Sequence, residues 1–142
     1  MIKLNKLQTL FYLEIQKVGS KGLTGYDLLL RFRSYGIGYS HQHIYSTLSK
    51  MQLDIRNESK EGERTKIFYS IPKGKTYELD YENHPIEAVI ANPIPEFIEV
   101  KSKEVLNEIK QEQVDNKRHP SVKAYRLKQL NLILEILSNL QD

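Results

Sequence analysis

The chain has 142 residues, of which 39% are hydrophobic, and a formal net charge of +3 at pH 7. This length suits one domain, or one small domain with an appendage, and no run of about 18 apolar residues is present, which excludes a membrane-spanning helix. The lack of cysteine excludes disulfides and thiolate metal sites and is typical of a cytoplasmic protein.

Charge is unevenly distributed along the chain. Residues 1–75 contain 13 lysines and arginines against 6 acidic residues, whereas residues 76–142 contain 8 against 12. The first part therefore carries a net charge of +7 and the second a net charge of −4. A basic region of this kind suits contact with a polyanion, although chance and ordinary solvated surfaces explain it equally well.

Apolar spacing predicts three helices in the basic region. Over residues 4–18, apolar side chains recur at three- and four-residue steps, as a helix with one buried face requires. Thr24 is a candidate N-cap for a second helix over about residues 25–34. Ser40 is a candidate N-cap for a third helix over about residues 41–52.

The third helix combines a narrow apolar seam with a polar outer face. Ile44, Leu48 and Met51 lie within about 60° of one another on a helical wheel. The opposite face has small polar and basic side chains, namely Gln42, His43, Ser46, Ser49 and Lys50. Small side chains let the helix backbone approach DNA and longer ones reach base edges, so this pattern is typical of a helix that reads the major groove.

A β-hairpin is predicted directly after the third helix. Residues 53–59 and 66–72 have the composition of strands, and a glycine-containing turn joins them. Three helices followed by a hairpin is the order of a winged helix-turn-helix domain. We therefore predict a mostly α fold with a small β-hairpin, in which the winged domain covers residues 1–79.

The rest of the chain is predicted to form a connector and two helices. The connector, residues 80–95, contains three residue-proline pairs that favour extended backbone, and residues 86–90 suit either a short strand or a short helix. Helices follow over about residues 96–115 and 121–141. The last helix has an apolar stripe that is too wide for an isolated exposed helix.

That stripe must be buried against the domain, the neighbouring helix or a second copy of the chain. We assign residues 96–142 to a carboxy-terminal helical dimerisation region. The predicted dimer contacts are Leu127, Leu130, Ile133, Leu134, Leu137 and Leu140.

Three motifs in the basic region resemble the PadR family of bacterial transcription regulators, and within it the AphA-type regulators. Residues 24–27 (Thr-Gly-Tyr-Asp) resemble the family's opening of the second helix. Residues 40–45 (Ser-His-Gln-His-Ile-Tyr) resemble its recognition helix, and residues 64–71 (Arg-Thr-Lys-Ile-Phe-Tyr-Ser-Ile) its returning wing strand. The resemblance implies carboxy-terminal helices that hold a homodimer, and a role as repressor or activator.

The join between the third helix and the wing departs from the family's pattern. Family members usually have a few more residues there, often with a glycine, whereas here residues 51–55 continue directly into the strand. A shorter join would tilt the wing. DNA contacts are therefore expected to depend more on the third helix than on the wing.

Ten side chains are candidate DNA contacts. Gln42 suits a bidentate pair with an adenine edge, with His43 and Ser46 beside it, and Lys50 suits a phosphate. The hydroxyls of Tyr26 and Tyr45 suit contact with the sugar-phosphate backbone of DNA. The three cations of the wing, Lys60, Arg64 and Lys66, are further candidate phosphate contacts. The full set is Tyr26, Ser40, Gln42, His43, Tyr45, Ser46, Lys50, Lys60, Arg64 and Lys66. Ordinary packing and a solvated charged surface are the alternative roles for these residues.

No metal site, cofactor or catalytic group is predicted. His41 and His43 point about 200° apart on a helix, so they cannot bind one ion together, and no carboxylate cluster joins the other two histidines. No nucleophile stands beside a credible base. The sequence therefore indicates a binding protein rather than an enzyme.

Together these features predict a PadR-like regulator that binds double-stranded DNA as a homodimer. Residues 40–52 would enter the major groove, and residues 55–72 would lie on the backbone or in the minor groove. The alternative is a winged-helix module for protein interaction, such as an anti-activator or adaptor encoded by a phage or mobile element. In that case its partner would be another regulator protein and it would not bind DNA itself.

Overall fold

The computed structural model describes residues 1–141. Asp142, the last residue of the predicted dimerisation region, lies outside the described residues. The chain divides into two compact units, Met1–Asp80 and Tyr81–Asp142. Six α-helices and four short β-strands occur within residues 1–141.

The first unit contains three of the helices and all four strands found among the described residues. Their bounds are β1 Ile2–Lys3, α1 Lys6–Val18, α2 Gly25–Ser34, α3 His41–Ser49, β2 Asp54–Glu58, β3 Lys66–Ser70 and β4 Tyr77–Glu78. The second unit contains α4 Ile86–Ala91, α5 Pro95–Val114 and α6 Pro120–Leu140. The order of helix, helix, helix and hairpin confirms the predicted winged helix-turn-helix fold.

Helix α1 begins at Lys6, slightly later than predicted. Asn5 caps it, because its side-chain oxygen accepts a hydrogen bond from the backbone N–H of Gln8. The side chain of Gln8 in turn accepts from the N–H of Asn5, which completes a capping box. This reciprocal pair satisfies two of the N–H groups that a helix start would otherwise leave without partners.

A short parallel sheet, which the sequence analysis did not predict, joins the two ends of the first unit. Strand β1 pairs with β4, so that Ile2 lies opposite Tyr77. Leu4, which was expected to lie in the first helix, is instead extended and buried, and its N–H donates to the carbonyl of Glu78. The chain that follows the wing is therefore fixed beside the chain that precedes α1.

The predicted caps of the second and third helices are confirmed. The Thr24 hydroxyl accepts from the N–H of Asp27, and the Asp27 carboxylate accepts from the N–H of Thr24. The Ser40 hydroxyl accepts from the N–H of His43 at 3.1 Å. Both helices therefore begin where the side-chain chemistry predicts.

The predicted end of the third helix at residue 52 is wrong. Helix α3 ends at Ser49, and the chain then turns so that Gln52 has a φ of +55°. A residue in this left-handed conformation cannot continue a right-handed helix. The turn leads directly into β2, and Met51 within it is fully buried.

The core of the first unit is aromatic and aliphatic. Phe11 of α1 stacks on Phe32 of α2 with ring centroids 5.1 Å apart, and Tyr39 meets Phe32 edge-on at 5.2 Å. Ile44 and Leu48 of α3 are buried, as the apolar seam predicted. Burying the seam turns the opposite face of α3 to solvent.

A buried carboxylate connects α1 to α2. The side chain of Glu14 is fully buried, and its two oxygens lie 2.8 Å from Lys17 Nζ and 3.1 Å from Arg31 Nη1. The Tyr35 hydroxyl donates to the same carboxylate at 3.2 Å. Two cations and a hydroxyl thus offset the cost of burying this charge.

The wing is an antiparallel hairpin that is anchored to the helices through its second strand. Strand β2 pairs with β3 from Asp54 opposite Ser70 to the turn, and both strands are shorter than predicted. Leu23 and Tyr69 exchange two backbone hydrogen bonds of 2.8 and 2.9 Å. Gly22 (φ +75°) permits this approach, since a β-carbon there would lie 2.6 Å from the Tyr69 carbonyl oxygen.

The second unit is a helix pair with a short preceding helix. Residues 86–90, left open between strand and helix, belong to α4. Leu130 and Leu137 of α6 are buried within the chain, each with about 1% of its surface exposed. Ion pairs add to the contact between α5 and α6, including Arg126 with Glu108 at 2.8 Å. None of the helices described in residues 1–141 is both long and apolar enough to cross a bilayer.

Candidate nucleic-acid interface

The solvent face of α3 is the centre of the candidate interface. Five of the predicted contacts, Gln42, His43, Tyr45, Ser46 and Lys50, are exposed on this helix or immediately after it. Across residues 40–52 the only formal charge is that of Lys50, which is positive. The face therefore offers hydrogen-bonding groups and one cation, with no carboxylate of its own to repel phosphate.

Ser40 has a structural role in addition to its predicted one. Its hydroxyl oxygen accepts from the amide of His43 and so defines the start of α3. A hydroxyl that accepts in this way retains its own hydrogen for a second partner. Ser40 can therefore cap the helix and still donate to a phosphate.

Aromatic neighbours orient the two histidines at the start of α3. The His43 ring stacks on Tyr39 with centroids 5.7 Å apart, and His41 stacks on Tyr26 at 6.3 Å and an angle of 8°. Tyr39 belongs to the aromatic core, so the orientation of His43 is set from inside the domain. Tyr39 was not among the predicted site residues, because it lies in a turn where apolar spacing carries no signal.

Tyr45 is positioned by the start of α2. Its ring packs against Gly25, where a β-carbon would come within 2.5 Å of the ring's Cε1 and 3.0 Å of its hydroxyl. Its hydroxyl is thus held near the amino terminus of α2, whose free N–H groups favour anions. Tyr26 is exposed at the same helix start.

A groove separates these tyrosines from the wing. It has a volume of about 360 Å³ and is lined by the two tyrosines, the α2 cap and the start of β3. Lys66, a predicted wing contact, is exposed along its edge, whereas Lys60 and Arg64 are exposed outside it, nearer the wing tip. The groove thus combines aromatic surface with one cation, Lys66, and one carboxylate, Asp27.

The wing is electrically balanced. Residues 54–70 contain four basic and four acidic side chains, so the hairpin has no net charge. Arg56 is held within the unit, since it donates to the Lys21 carbonyl at 3.1 Å and lies 4.7 Å from the Phe68 ring centroid. Three cations, Lys60, Arg64 and Lys66, remain as the wing's candidate phosphate contacts.

Lys75 is a further cation near α3 that the sequence analysis missed. Its Nζ lies 3.3 Å from the Gln52 carbonyl, in the turn that follows Lys50. The Tyr77 hydroxyl lies 3.0 Å from the Met51 carbonyl and 2.8 Å from that of Gln52. Both residues follow the predicted strand, and nothing in their local pattern indicates contact with this turn.

Three tyrosines around the interface are less acidic than usual. Burial raises the pKa of Tyr39 above its ordinary value. Burial also raises the pKa of Tyr69, with a further contribution from Tyr45, and that of Tyr77, with contributions from Tyr12 and Asp54. These phenols therefore stay neutral at physiological pH, and the Tyr77 hydroxyl acts as a hydrogen-bond donor.

Histidine, cysteine and carboxylate side chains do not cluster at metal-binding distances anywhere in residues 1–141. His41 and His43 each stack on a different tyrosine, in agreement with their predicted divergence.

No family model matches the chain, and no curated protein matches it. Among solved structures, the chain is similar to Bacillus subtilis PadR, determined in complex with operator DNA. The two are 14% identical with a TM-score of 0.39, over 94% of this chain and 95% of that chain.

Proposed function

We propose that the protein is a transcription regulator that binds double-stranded DNA through the exposed face of α3. The observation that carries this proposal is that face itself, which is polar and free of carboxylates, on a helix fixed by a buried seam. A rigid helix with small side chains and one longer amide suits the width of the major groove. A solvated face without function would have no need for two aromatic supports under its histidines.

Each group has a distinct proposed role. Gln42, with both a donor and an acceptor, would read a base edge, and adenine is the base that fits a bidentate amide. Lys50 and the neighbouring Lys75 would contact phosphates and supply affinity that is independent of sequence. The wing would add weaker phosphate contacts, because its net charge is zero.

We further propose that two copies of the chain form the active species, and that their contact differs from the one predicted. Leu130 and Leu137, both predicted dimer contacts, are already buried inside the monomer. A second apolar stripe on α6 is exposed instead and consists of Val122, Tyr125, Leu132 and Ile136. Apolar side chains that share one helix face need a partner surface. This outer stripe is therefore the better candidate for the contact between copies.

A selection from random oligonucleotides with the purified protein tests the proposal. We expect an enriched pseudo-palindromic sequence whose half-sites are separated by about one helical turn or a multiple of it. Binding to that sequence should weaken steeply between low and moderate salt, because lysines displace condensed counterions. Failure to enrich any sequence, together with no binding at low salt, would refute a DNA-binding role.

The second candidate function is a protein-binding module, and the wing carries the observation that favours it. Ile55 and Ile67 lie on the same face of the hairpin and are 63% and 40% exposed. A neutral hairpin with exposed isoleucines suits a protein surface better than a phosphate backbone. Replacing both isoleucines with threonine should leave DNA affinity unchanged if DNA is the ligand.

A further inference from the structure

The turn between α3 and the wing is held by residues that lie beyond the wing in sequence. Tyr77 of β4 reaches back to this turn, and its hydroxyl lies within hydrogen-bond distance of the carbonyls of both Met51 and Gln52. Lys75 approaches the Gln52 carbonyl as well. Two carbonyls that a helix end would otherwise leave to solvent are thus satisfied by side chains of one short segment, residues 75–77.

The turn needs such support because of its backbone conformation. Gln52 has a φ of +55°, a region that side chains other than glycine occupy only at a cost. Such a conformation persists where the surroundings impose it. Here the surroundings are the buried Met51 on one side and the Tyr77 hydroxyl on the other.

Tyr77 is itself fixed in place. Its strand pairs with β1, where the N–H of Ile2 donates to the Thr76 carbonyl at 2.8 Å. Its ring packs on Tyr12 of α1 with centroids 5.2 Å apart. The position of the hydroxyl at the turn is therefore set by α1 and by the β1–β4 pair.

Both strands of the wing are attached to the rest of the unit. Strand β3 is attached at Tyr69 through its backbone bonds to Leu23. Strand β2 is attached where it begins, through the turn that Tyr77 holds, and further along through Arg56, which donates to the Lys21 carbonyl at 3.1 Å. A hairpin attached at one strand can swing about that attachment, whereas attachment of both strands sets its angle.

From these contacts we infer that Tyr77 is a positioning residue, whose hydroxyl sets the angle of the wing relative to α3. The consequence for DNA rests on the function proposed above: Tyr77 lets the wing and α3 reach the duplex together although it contacts no DNA. The short join between α3 and β2 makes this control direct, since few residues separate the held carbonyls from the strand.

The first experiment measures the wing angle without DNA. The chain has no cysteine, so spin labels can be placed through Ser46→Cys on α3 and Glu61→Cys at the wing tip. Pulsed electron paramagnetic resonance should give a narrow distance distribution for this labelled protein and a shifted or at least twofold broader one after Tyr77→Phe. The phenylalanine keeps the ring contact with Tyr12 and removes only the hydroxyl. An unchanged distribution would overturn the inference.

Tyr12→Phe is the matched control. It removes a hydroxyl from the other ring of the same pair, and among the hydrogen bonds described for residues 1–141 the Tyr12 hydroxyl takes no part. The labelled Tyr12→Phe protein should retain the narrow distribution. Broadening in the control as large as that in Tyr77→Phe would mean that the ring pair, and not the Tyr77 hydroxyl, sets the angle.

The second experiment uses unlabelled protein and the selected DNA. Tyr77→Phe should weaken binding about three- to tenfold and lower the salt slope by about one, as the loss of one phosphate contact requires. In a Lys60→Gln/Arg64→Gln background the same change should have no further effect. An equal loss in both backgrounds would refute a role through the wing. If the unaltered protein binds no DNA, the proposed function fails, and the spin-label distances still decide the role of Tyr77.

Discussion

The ring of Tyr45 lies in the space that a β-carbon on Gly25 would occupy, with Cε1 at 2.5 Å from that position. Gly25 is the first residue of α2 and Tyr45 lies in the middle of α3, so this contact fixes the separation of the two helices at this point. A glycine in a helix normally costs stability relative to alanine. Here its lack of a side chain makes room for the ring of Tyr45.

Gly25→Ala should therefore displace the Tyr45 ring. We expect DNA affinity to fall about three- to tenfold, because the Tyr45 hydroxyl leaves the α2 amino terminus, while stability changes by less than about 1 kcal/mol, since clash and helix propensity oppose each other. Gel shifts and thermal melts measure the two effects. In a Tyr45→Ala background Gly25→Ala should cost no affinity. Gly38→Ala, at a position with open space around it, is the control.

Gln42→Ala and Lys50→Ala should have different effects on DNA binding. Losing Gln42 should reduce discrimination at one base pair by about 1–3 kcal/mol, which binding to single-base variants of the selected site measures. Losing Lys50 should weaken binding to all sequences and lower the salt slope by about 0.9. Lys110→Ala deletes an exposed positive charge on α5 and is the matched control for Lys50→Ala. Equal effects of the Gln42 change on all sequences would contradict base reading.

Glu14→Gln should destabilise the first unit by roughly 2 kcal/mol, because a neutral amide replaces the fully buried carboxylate that pairs with Arg31. Thermal melts followed by circular dichroism would measure the change. Glu99→Gln provides the comparison, since Glu99 pairs with Lys103 on an exposed surface where such a change costs little. DNA affinity well below the melting temperature should be unaffected by either. A melting temperature equal to that of the unaltered protein would show that the buried carboxylate is dispensable.

If two copies pair as proposed, charges introduced on the outer stripe of α6 should dissociate them. Leu132→Lys together with Ile136→Lys places two cations on an exposed apolar face, so we expect a monomer in analytical ultracentrifugation with unchanged helix content. Leu137→Ala should instead lower stability by about 2–4 kcal/mol, because its side chain is buried between helices. A dimer that survives the double lysine change would exclude the outer stripe as the contact.

Stability should fall at alkaline pH through the tyrosines. Burial raises the pKa of Tyr39 in the folded state, and this shift contributes to the free energy of unfolding. The contribution is fully present below about pH 10, the ordinary pKa of tyrosine in the unfolded chain, and is lost as the pH rises towards the folded pKa. The melting temperature should therefore drop as the pH rises above about 10, and less in Tyr39→Phe. Tyr26→Phe, which alters an exposed ring outside the outer stripe of α6, should melt like the unaltered protein throughout.

The sequence was sufficient to predict the elements whose signals are local. The hydroxyls of Thr24 and Ser40 cap the helices as expected, and the apolar seam of α3 is buried. The end of α3 was not predictable, since Met51 continues the helical spacing although the backbone has already turned. Apolar spacing reports which residues are buried and does not distinguish a helix from the turn that follows it.

Contacts between distant residues were beyond the reach of the sequence. Nothing in residues 75–78 indicates a strand that pairs with the first residues of the chain or reaches the α3 turn. The leucines of α6 were correctly read as needing a partner, but the pattern could not show that α5 already covers Leu130 and Leu137. An apolar stripe of this width can contact two neighbouring surfaces, and the sequence pattern does not indicate which of its side chains contact which surface.

The pairing of β1 with β4 has a consequence for how the wing can vary. The hairpin is closed by its own contacts, such as the 2.8 Å hydrogen bond between the Ser59 and Thr65 hydroxyls. Its partners outside residues 54–70 are the Lys21 carbonyl, the backbone of Leu23 and the turn that Tyr77 holds. Residues at the tip of the wing can thus change without altering the contacts that attach the wing to the unit. Changes in charge or length at the tip would alter the affinity of the wing for its ligand, while the attachments keep the direction of the wing.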